Sequence, residues 1–217
     1  GLEAARVAAA RGHHVTLYEE DADLGGQWLL ASKPPHKQDH LLILCYLVGQ
    51  LDKLGVERKC GVRVTAAVVE EARPDAVVVA TGAKPLVPPI PGVELEEVVT
   101  AWDILGGGKV GRRVLVVGGG LTGLETAEFL AEQGKEIVLV EMLKRIGADM
   151  GGTVRWHLMN RTKNLNIKTF VSTQIKEIRP EGVVVISRNG VEETWDGFDM
   201  IVLACGVRSK DELSKQI

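Results

Sequence analysis

The sequence predicts an α/β chain built from two parallel-sheet units in tandem, the first of them incomplete. Three observations carry this. A twenty-residue unit occurs twice: residues 1–20 read GLEAARVAAARGHHVTLYEE and residues 123–142 read GLETAEFLAEQGKEIVLVEM. Aligned without gaps they agree at eight positions, among them Gly1/Gly123, Leu2/Leu124, Glu3/Glu125, Gly12/Gly134 and Glu19/Glu141. The second copy follows an apolar run, 114–117, and the turn Gly118-Gly119-Gly120-Leu121-Thr122; the first copy has neither in front of it. A further pair of echoes, DAVVVATG at 75–82 and DMIVLACG at 199–206, recurs in the same order at an offset of 124 residues, against 122 for the first pair.

The spacing in the second copy has a chemical meaning. A continuous apolar run suits a buried parallel strand. Gly118 permits a tight turn out of it, Gly120 lets backbone approach a ligand with no Cβ in the way, and Gly123 allows the next helix to pack close. The helix then offers free N–H groups and a positive dipole end to an anion. The strand at 137–140 ends in Glu141, eighteen residues past Gly123, where a carboxylate accepts hydrogen bonds from the two hydroxyls of a ribose. Gly118, Gly119, Gly120, Leu121, Thr122, Gly123 and Glu141 therefore form a dinucleotide site. Cys205 and Gly206 end an apolar strand that reaches the same sheet edge. The first copy keeps its helix and its acid, Glu19, but begins at the equivalent of the third glycine.

Along the chain, a helix is expected over 1–11, a strand over 14–19, and a loop over 20–35 that holds Gly25-Gly26-Gln27. A helix over 37–54 ends at Gly55, a C-terminal glycine. Short strands are expected over 56–59 and 62–65, a helical turn over 66–72, and a strand over 75–80. Four of the eight prolines then fall between Pro85 and Pro91, a stiff extended stretch that marks the best domain boundary. The domains are drawn as 1–99, a partial FAD- or ADP-binding domain, and 100–217, an NAD(P)-binding domain. After the complete unit come a helix over 152–163, strands over 167–171 and 174–178, and a hairpin with arms 183–187 and 191–195 turning at Asn189-Gly190. Residues 199–204 return to the sheet. The helix segment 41–48 is apolar on every face, so it is expected to lie against another domain or subunit.

Composition narrows the function. The chain is 45% hydrophobic and only 4% aromatic, with a net charge of −3 and no long basic run, so nucleic acid is not indicated. Cys45, Cys60 and Cys205 form no close pair, which argues against a disulfide framework, a zinc site and a redox dithiol; a reducing, cytoplasmic setting follows. The apolar run 41–48 is far shorter than the roughly 18 residues of a membrane span, and no signal peptide is visible. The first residue is Gly rather than Met, consistent with a fragment. His36 and His40 share a helix face without a clear third ligand, so no metal site is assigned. No residue is assigned a catalytic role.

Longer motifs point to a family. Leu24-Gly25-Gly26-Gln27, Ala31-Ser32-Lys33-Pro34-Pro35, Val87-Pro88-Pro89-Ile90-Pro91-Gly92, Val99-Thr100-Ala101-Trp102-Asp103, Val140-Glu141-Met142-Leu143 and Gly147-Ala148-Asp149-Met150-Gly151 together span nearly the whole chain. They resemble the pyridine-nucleotide- and flavin-binding C-terminal half of the NADH:flavin oxidoreductases, the group of 2-enoate reductase, 2,4-dienoyl-CoA reductase and trimethylamine dehydrogenase. The resemblance implies two Rossmann-like domains of the glutathione-reductase type, the second inserted into the first. It implies an FAD site (ADP in one branch) lined by Gly1, Glu19, Gly26, Gln27, Thr81 and Gly82. A nicotinamide nucleotide site would be lined by Gly118, Gly120, Thr122, Gly123, Glu141 and Gly206. FMN and a 4Fe–4S cluster would lie on an N-terminal barrel domain, the main partner of this chain, and a homo-oligomer is compatible with the family. Hydride would pass from NADH to FAD and onward to an unsaturated acid or enoyl thioester. Glu141 favours NADH over NADPH, since a 2′-phosphate would meet a carboxylate; Lys144 and Arg145 are the nearby cations that would accept NADPH. The barrel, the first strand and two glycines of the FAD fingerprint are not in the sequence, and the segment that closes the FAD domain is expected beyond Ile217. The alternative function is a nucleotide-holding module, for ADP or NAD, without redox turnover.

Overall fold

A computed structural model describes residues 1–217. In chain order the elements are α1 (Leu2–Ala10), β1 (Thr16–Tyr18), α2 (Gln27–Ala31), α3 (His40–Lys53), β2 (Glu57–Lys59), α4 (Ala66–Ala72), β3 (Ala83–Pro85), β4 (Val98–Thr100), α5 (Ala101–Leu105), β5 (Arg113–Val117) and α6 (Leu121–Glu132). There follow β6 (Glu136–Glu141), α7 (Gly152–Thr162), β7 (Ile167–Val171), β8 (Gln174–Arg179), β9 (Gly182–Ile186), β10 (Glu192–Trp195), β11 (Met200–Leu203) and β12 (Val207–Ser209). The chain forms two compact units, Gly1–Lys84 with Arg208–Ile217, and Pro85–Val207.

The second unit is the larger sheet. Its five parallel strands run in the order β4-β11-β5-β6-β7. Consecutive strands that run parallel need a crossover, and α6 supplies it between β5 and β6. The middle strands are apolar on both faces because both are covered. Val114, Val116, Ile137 and Leu139 pack with Leu124, Ala127 and Leu130 of α6. Leu115, Val117, Val138 and Val140 pack on the other side with Ile175, Val183 and Val185 of the antiparallel β8-β9-β10 sheet. The expected hairpin is there: the Ser187 N–H donates to Val191 O at 2.9 Å and Gly190 turns with φ +74°. Thr100 and Asp103 cap α5 reciprocally, each accepting a backbone N–H of the other.

The first unit has a smaller core of Ala5, Leu51 and Val56, joined by Leu2, Ala9, Val15, Leu17 and Leu24. Its only pairing besides β3 with β12 is β1 with β2, in parallel. Helix α3 ends as expected, with Gly55 at φ +68°. It buries Leu44 and Leu51, while Leu42, Ile43 and Tyr46 are exposed, Leu42 by 68%. Residues 27–31, expected in a loop, form α2; the Trp28 indole donates to His40 O at 2.6 Å and stacks on its ring, tying this turn to α3.

Two expectations are corrected. The division at 99/100 falls inside the second unit, because β4 is an edge strand of its sheet and pairs in register with β11. The units part instead at Lys84/Pro85, in the proline stretch, and again at Val207/Arg208. The chain is back in the first unit from Arg208 onward. Lys210 donates its N–H to Gly82 O at 3.0 Å and its ammonium to Glu20 at 2.7 Å, and Lys84 pairs with Glu212 at 2.7 Å. The strand expected over 75–80 is also unmade. Those residues have no ladder partner, and Val78 is 72% exposed.

Candidate dinucleotide sites

The second unit assembles its site at the carboxyl end of β5. The Gly118 N–H donates to Val140 O at 2.8 Å, and the residue turns at φ +107°. A Cβ on Gly118 would lie 2.4 Å from Ala204 O, and one on Gly123 would lie 1.8 Å from Gly118 O. No real Cβ survives such distances, so the turn and the helix–strand approach both demand glycine here. Helix α6 has Gly120 as its N-cap, and that residue supplies no side-chain cap.

Glu141 is the centre of the site. It is 8% exposed, yet both oxygens are held: Oε2 accepts the Gly119 N–H and Oε1 the Leu143 N–H, each at 2.7 Å. The carboxylate thus staples the glycine turn to the end of β6. Two backbone donors satisfy a buried carboxylate and leave further lone pairs free to accept. The following loop folds back on the turn. Ile146 is buried against Gly119, and the Gly147 N–H donates to Gly119 O at 2.7 Å. Asp149 Oδ2 accepts the Leu121 N–H at 3.2 Å.

The other expected residues of this site fall at the same edge with smaller parts. Leu121 is half-buried on the core and Thr122 is exposed on the first turn of α6. Gly206, at φ +99°, accepts the Leu86 N–H at 2.9 Å. The Cys205 thiol donates to Val117 O at 3.5 Å; burial pushes it above its ordinary value, and the charge of Glu141 pushes the same way. A thiol held protonated packs rather than attacks.

The first unit gathers its expected residues at the corresponding edge. Gly1 is the N-cap of α1, with no side-chain cap, and a Cβ there would sit 3.7 Å from Ala80. The Gln27 amide lies against Gly82 and donates to Ala83 O at 3.5 Å, with Gly26 the N-cap of α2. The Thr81 hydroxyl donates to Lys210 O at 2.5 Å. Glu19 follows β1, and its carboxylate accepts the Asp21 N–H at 3.2 Å.

Three residues with defined roles were not assigned any from the sequence. The Leu143 N–H and Asp149 Oδ2 belong to the edge of the glycine turn. Asp199 lies at the opposite end of the sheet, accepting the Arg112 and Arg113 N–H groups at 2.7 and 2.8 Å; those bonds hold its carboxyl below its ordinary value. Asp149 stood in a motif of the resemblance, but nothing in its spacing said that it reaches α6. No helix is long and apolar enough to cross a membrane.

The family model described as pyridine nucleotide-disulphide oxidoreductase matches residues 1–217. An NADH oxidase of Thermoanaerobacter brockii is 40% identical over 95% of this chain and 32% of its own length. A cinnamate reductase of Clostridium sporogenes is 37% identical over 100% of this chain and 33% of its own. A solved 2-naphthoyl-CoA reductase complex superposes with a TM-score of 0.94 at 36% identity, covering 99% of this chain and 33% of that one. The chain thus spans about a third of the length of the relatives it matches.

Proposed function

From the pyridine nucleotide-disulphide oxidoreductase family, to which this chain belongs, we propose a specific role: the second unit binds NADH and the first contributes to an FAD site. Together they form the part of a larger reductase that passes hydride from nicotinamide to flavin. The single observation that carries this is the complete strand–glycine turn–helix–strand–acid unit, with Glu141 hydrogen-bonded to the turn.

The residues fit the nucleotides. In the second unit the bare backbone at Gly118 to Gly120 and the N-terminus of α6 would hold a pyrophosphate, and Glu141 a ribose. In the first unit the uncapped N-terminus of α1, the acid Glu19 and the Gln27–Gly82 contact would line part of the flavin nucleotide site. The nicotinamide and flavin supply the hydride chemistry when bound. The protein binds, orients and excludes water, and no acid–base residue is needed for that step. The buried carboxylate of Glu141 disfavours a 2′-phosphate, so NADH is read ahead of NADPH.

The wider enzyme is read from the resemblance and from relatives' names. Cinnamate and 2-naphthoyl-CoA are an unsaturated acid and an aryl thioester, and an unsaturated acid or enoyl thioester is proposed as the final acceptor. A barrel domain bearing FMN and a 4Fe–4S cluster would be the partner of this chain. Equilibrium titration tests the core of the reading: NADH should bind, and added FAD should give flavin absorbance that NADH bleaches without oxygen. Binding of NADH with no flavin colour would support the nucleotide-holding module instead. No binding of NADH or ADP would defeat both.

A further inference from the structure

Glu141 is not the only carboxylate on the glycine turn. Asp149 reaches it from the loop after β6, and its placement conflicts with an anionic ligand. Its Oδ2 accepts the first N–H of α6, that of Leu121, at 3.2 Å. The same oxygen lies 2.8 Å from the point where a Cβ on Gly120 would stand, with Cγ and Oδ1 both at 3.3 Å. The carboxylate therefore covers the bare face of Gly120 and takes a donor at the N-terminus, the two features that a pyrophosphate needs. We propose that Asp149 is an internal stand-in for the pyrophosphate: it neutralises the N-terminus of α6 in the free chain and must swing away for the nucleotide to bind.

The loop is built for that movement. Its base is fixed, with Ile146 buried, the Gly147 N–H on Gly119 O at 2.7 Å and the Arg155 guanidinium on Ile146 O at 2.7 Å. Beyond the base, Asp149 is exposed and makes one hydrogen bond near the long limit. Gly151 and Gly152 follow it, and a Cβ on either would meet nothing within 4 Å. Releasing the carboxylate thus leaves no buried charge stranded; water takes it up. Glu141 differs: it is buried, holds two N–H groups at 2.7 Å, and stays. The pair divides the work: one acid shapes the turn and the other competes for it. The consequence is an affinity set below what the turn alone would give.

This inference rests on the reading of the second unit as a nucleotide site, so the experiment separates the two. Asp149→Asn keeps the shape and removes the charge; Asp149→Ala removes the side chain and serves if the first variant folds poorly. The natural protein and both variants are titrated with NAD⁺, ADP and adenosine at low and high salt. The helix-terminus interaction being displaced predicts about two- to fivefold tighter NAD⁺ and ADP binding in the variants. Adenosine, with no phosphate, should bind unchanged, and the gain should shrink as salt screens the charge. NAD⁺ or ADP binding that is unchanged or weaker in both variants overturns the role of Asp149 while leaving the nucleotide site intact. Equal tightening of adenosine also overturns it. If the natural protein and both variants alike fail to bind NAD⁺ and ADP, the reading of the site itself falls.

Discussion

Helices α1 and α6 share the run Gly-Leu-Glu, at residues 1–3 and 123–125, and align without gaps through Gly12 and Gly134, yet they live differently. Helix α1 buries Ala5 alone; α6 buries Gly123 to Glu128 together with Leu130 and Ala131. The strands that follow diverge in the same way. β6 sits between β5 and β7 with five of its six residues buried, whereas β1 pairs on one side with β2 and buries none. The difference lies in the neighbours. Helix α6 packs on β5 and β6, with β5 running directly into its glycine turn, while α1 packs chiefly against α3. Similar sequence yields similar local structure, and burial follows the partners.

This contrast can be broken most sharply at the paired glycines. Gly123→Ala would drive a Cβ into Gly118 O and should destabilise the second unit by about 3 kcal/mol or more, overpacking with nowhere to relax. Gly1→Ala meets only ordinary contacts beyond 3.6 Å, at Ala80 and Leu17, and should leave the urea midpoint where it was. Equal losses would show that the copies are packed alike after all.

A second contrast sits one turn further on. Glu128 is fully buried and holds Arg161 of α7 through both oxygens, at 2.7 and 2.9 Å. Its counterpart in the repeat is Arg6, which makes a surface pair with Glu3. Glu128→Ala should cost about 1–3 kcal/mol, less than a wholly stranded buried charge because Arg161 reaches solvent. Glu3→Ala should not move the unfolding midpoint measurably.

The two acids at the strand ends sharpen the functional side. Glu141→Ala should weaken NADH about tenfold, the scale of a lost charge-assisted hydrogen bond, and weaken NADPH less. Glu19→Ala should leave NADH binding unchanged. Equal losses for NADH and NADPH would refute the ribose role of Glu141.

The smallest effect concerns acid. Asp199 titrates below its ordinary value because the Arg113 and Arg112 N–H groups hold its charged form. A depressed folded value means that its stabilisation is present at neutral pH. It fades as pH falls below the ordinary carboxylate range of about 4 and is gone below the folded value. Asp199→Asn should flatten the acid limb of a stability–pH curve.

Much of the fold was readable because it depends on short-range chemistry. The glycine turn, the Gly55 helix end and the Asn189-Gly190 hairpin each follow from a few adjacent residues. The strand expected over 75–80 shows the limit: its apolar pattern matches β11, but β11 lies between β4 and β5, and 75–80 pairs with no strand. β4 was missed for the converse reason. Three residues after an acidic stretch carry little pattern, and pairing with β11, a hundred residues away, makes them a strand.

The sequence by itself determined that a helix–strand unit recurs, where its glycines fall and which acid ends each copy, because glycine spacing and apolar runs act locally. Only the tertiary structure decided that Glu141 is stapled to Gly119, that Asp149 covers the N-terminus of α6 from 28 residues away, and that residues 208–217 return to the first unit. Those are contacts between distant stretches of chain. Their existence depends on the packing of everything between, and no local pattern encodes that.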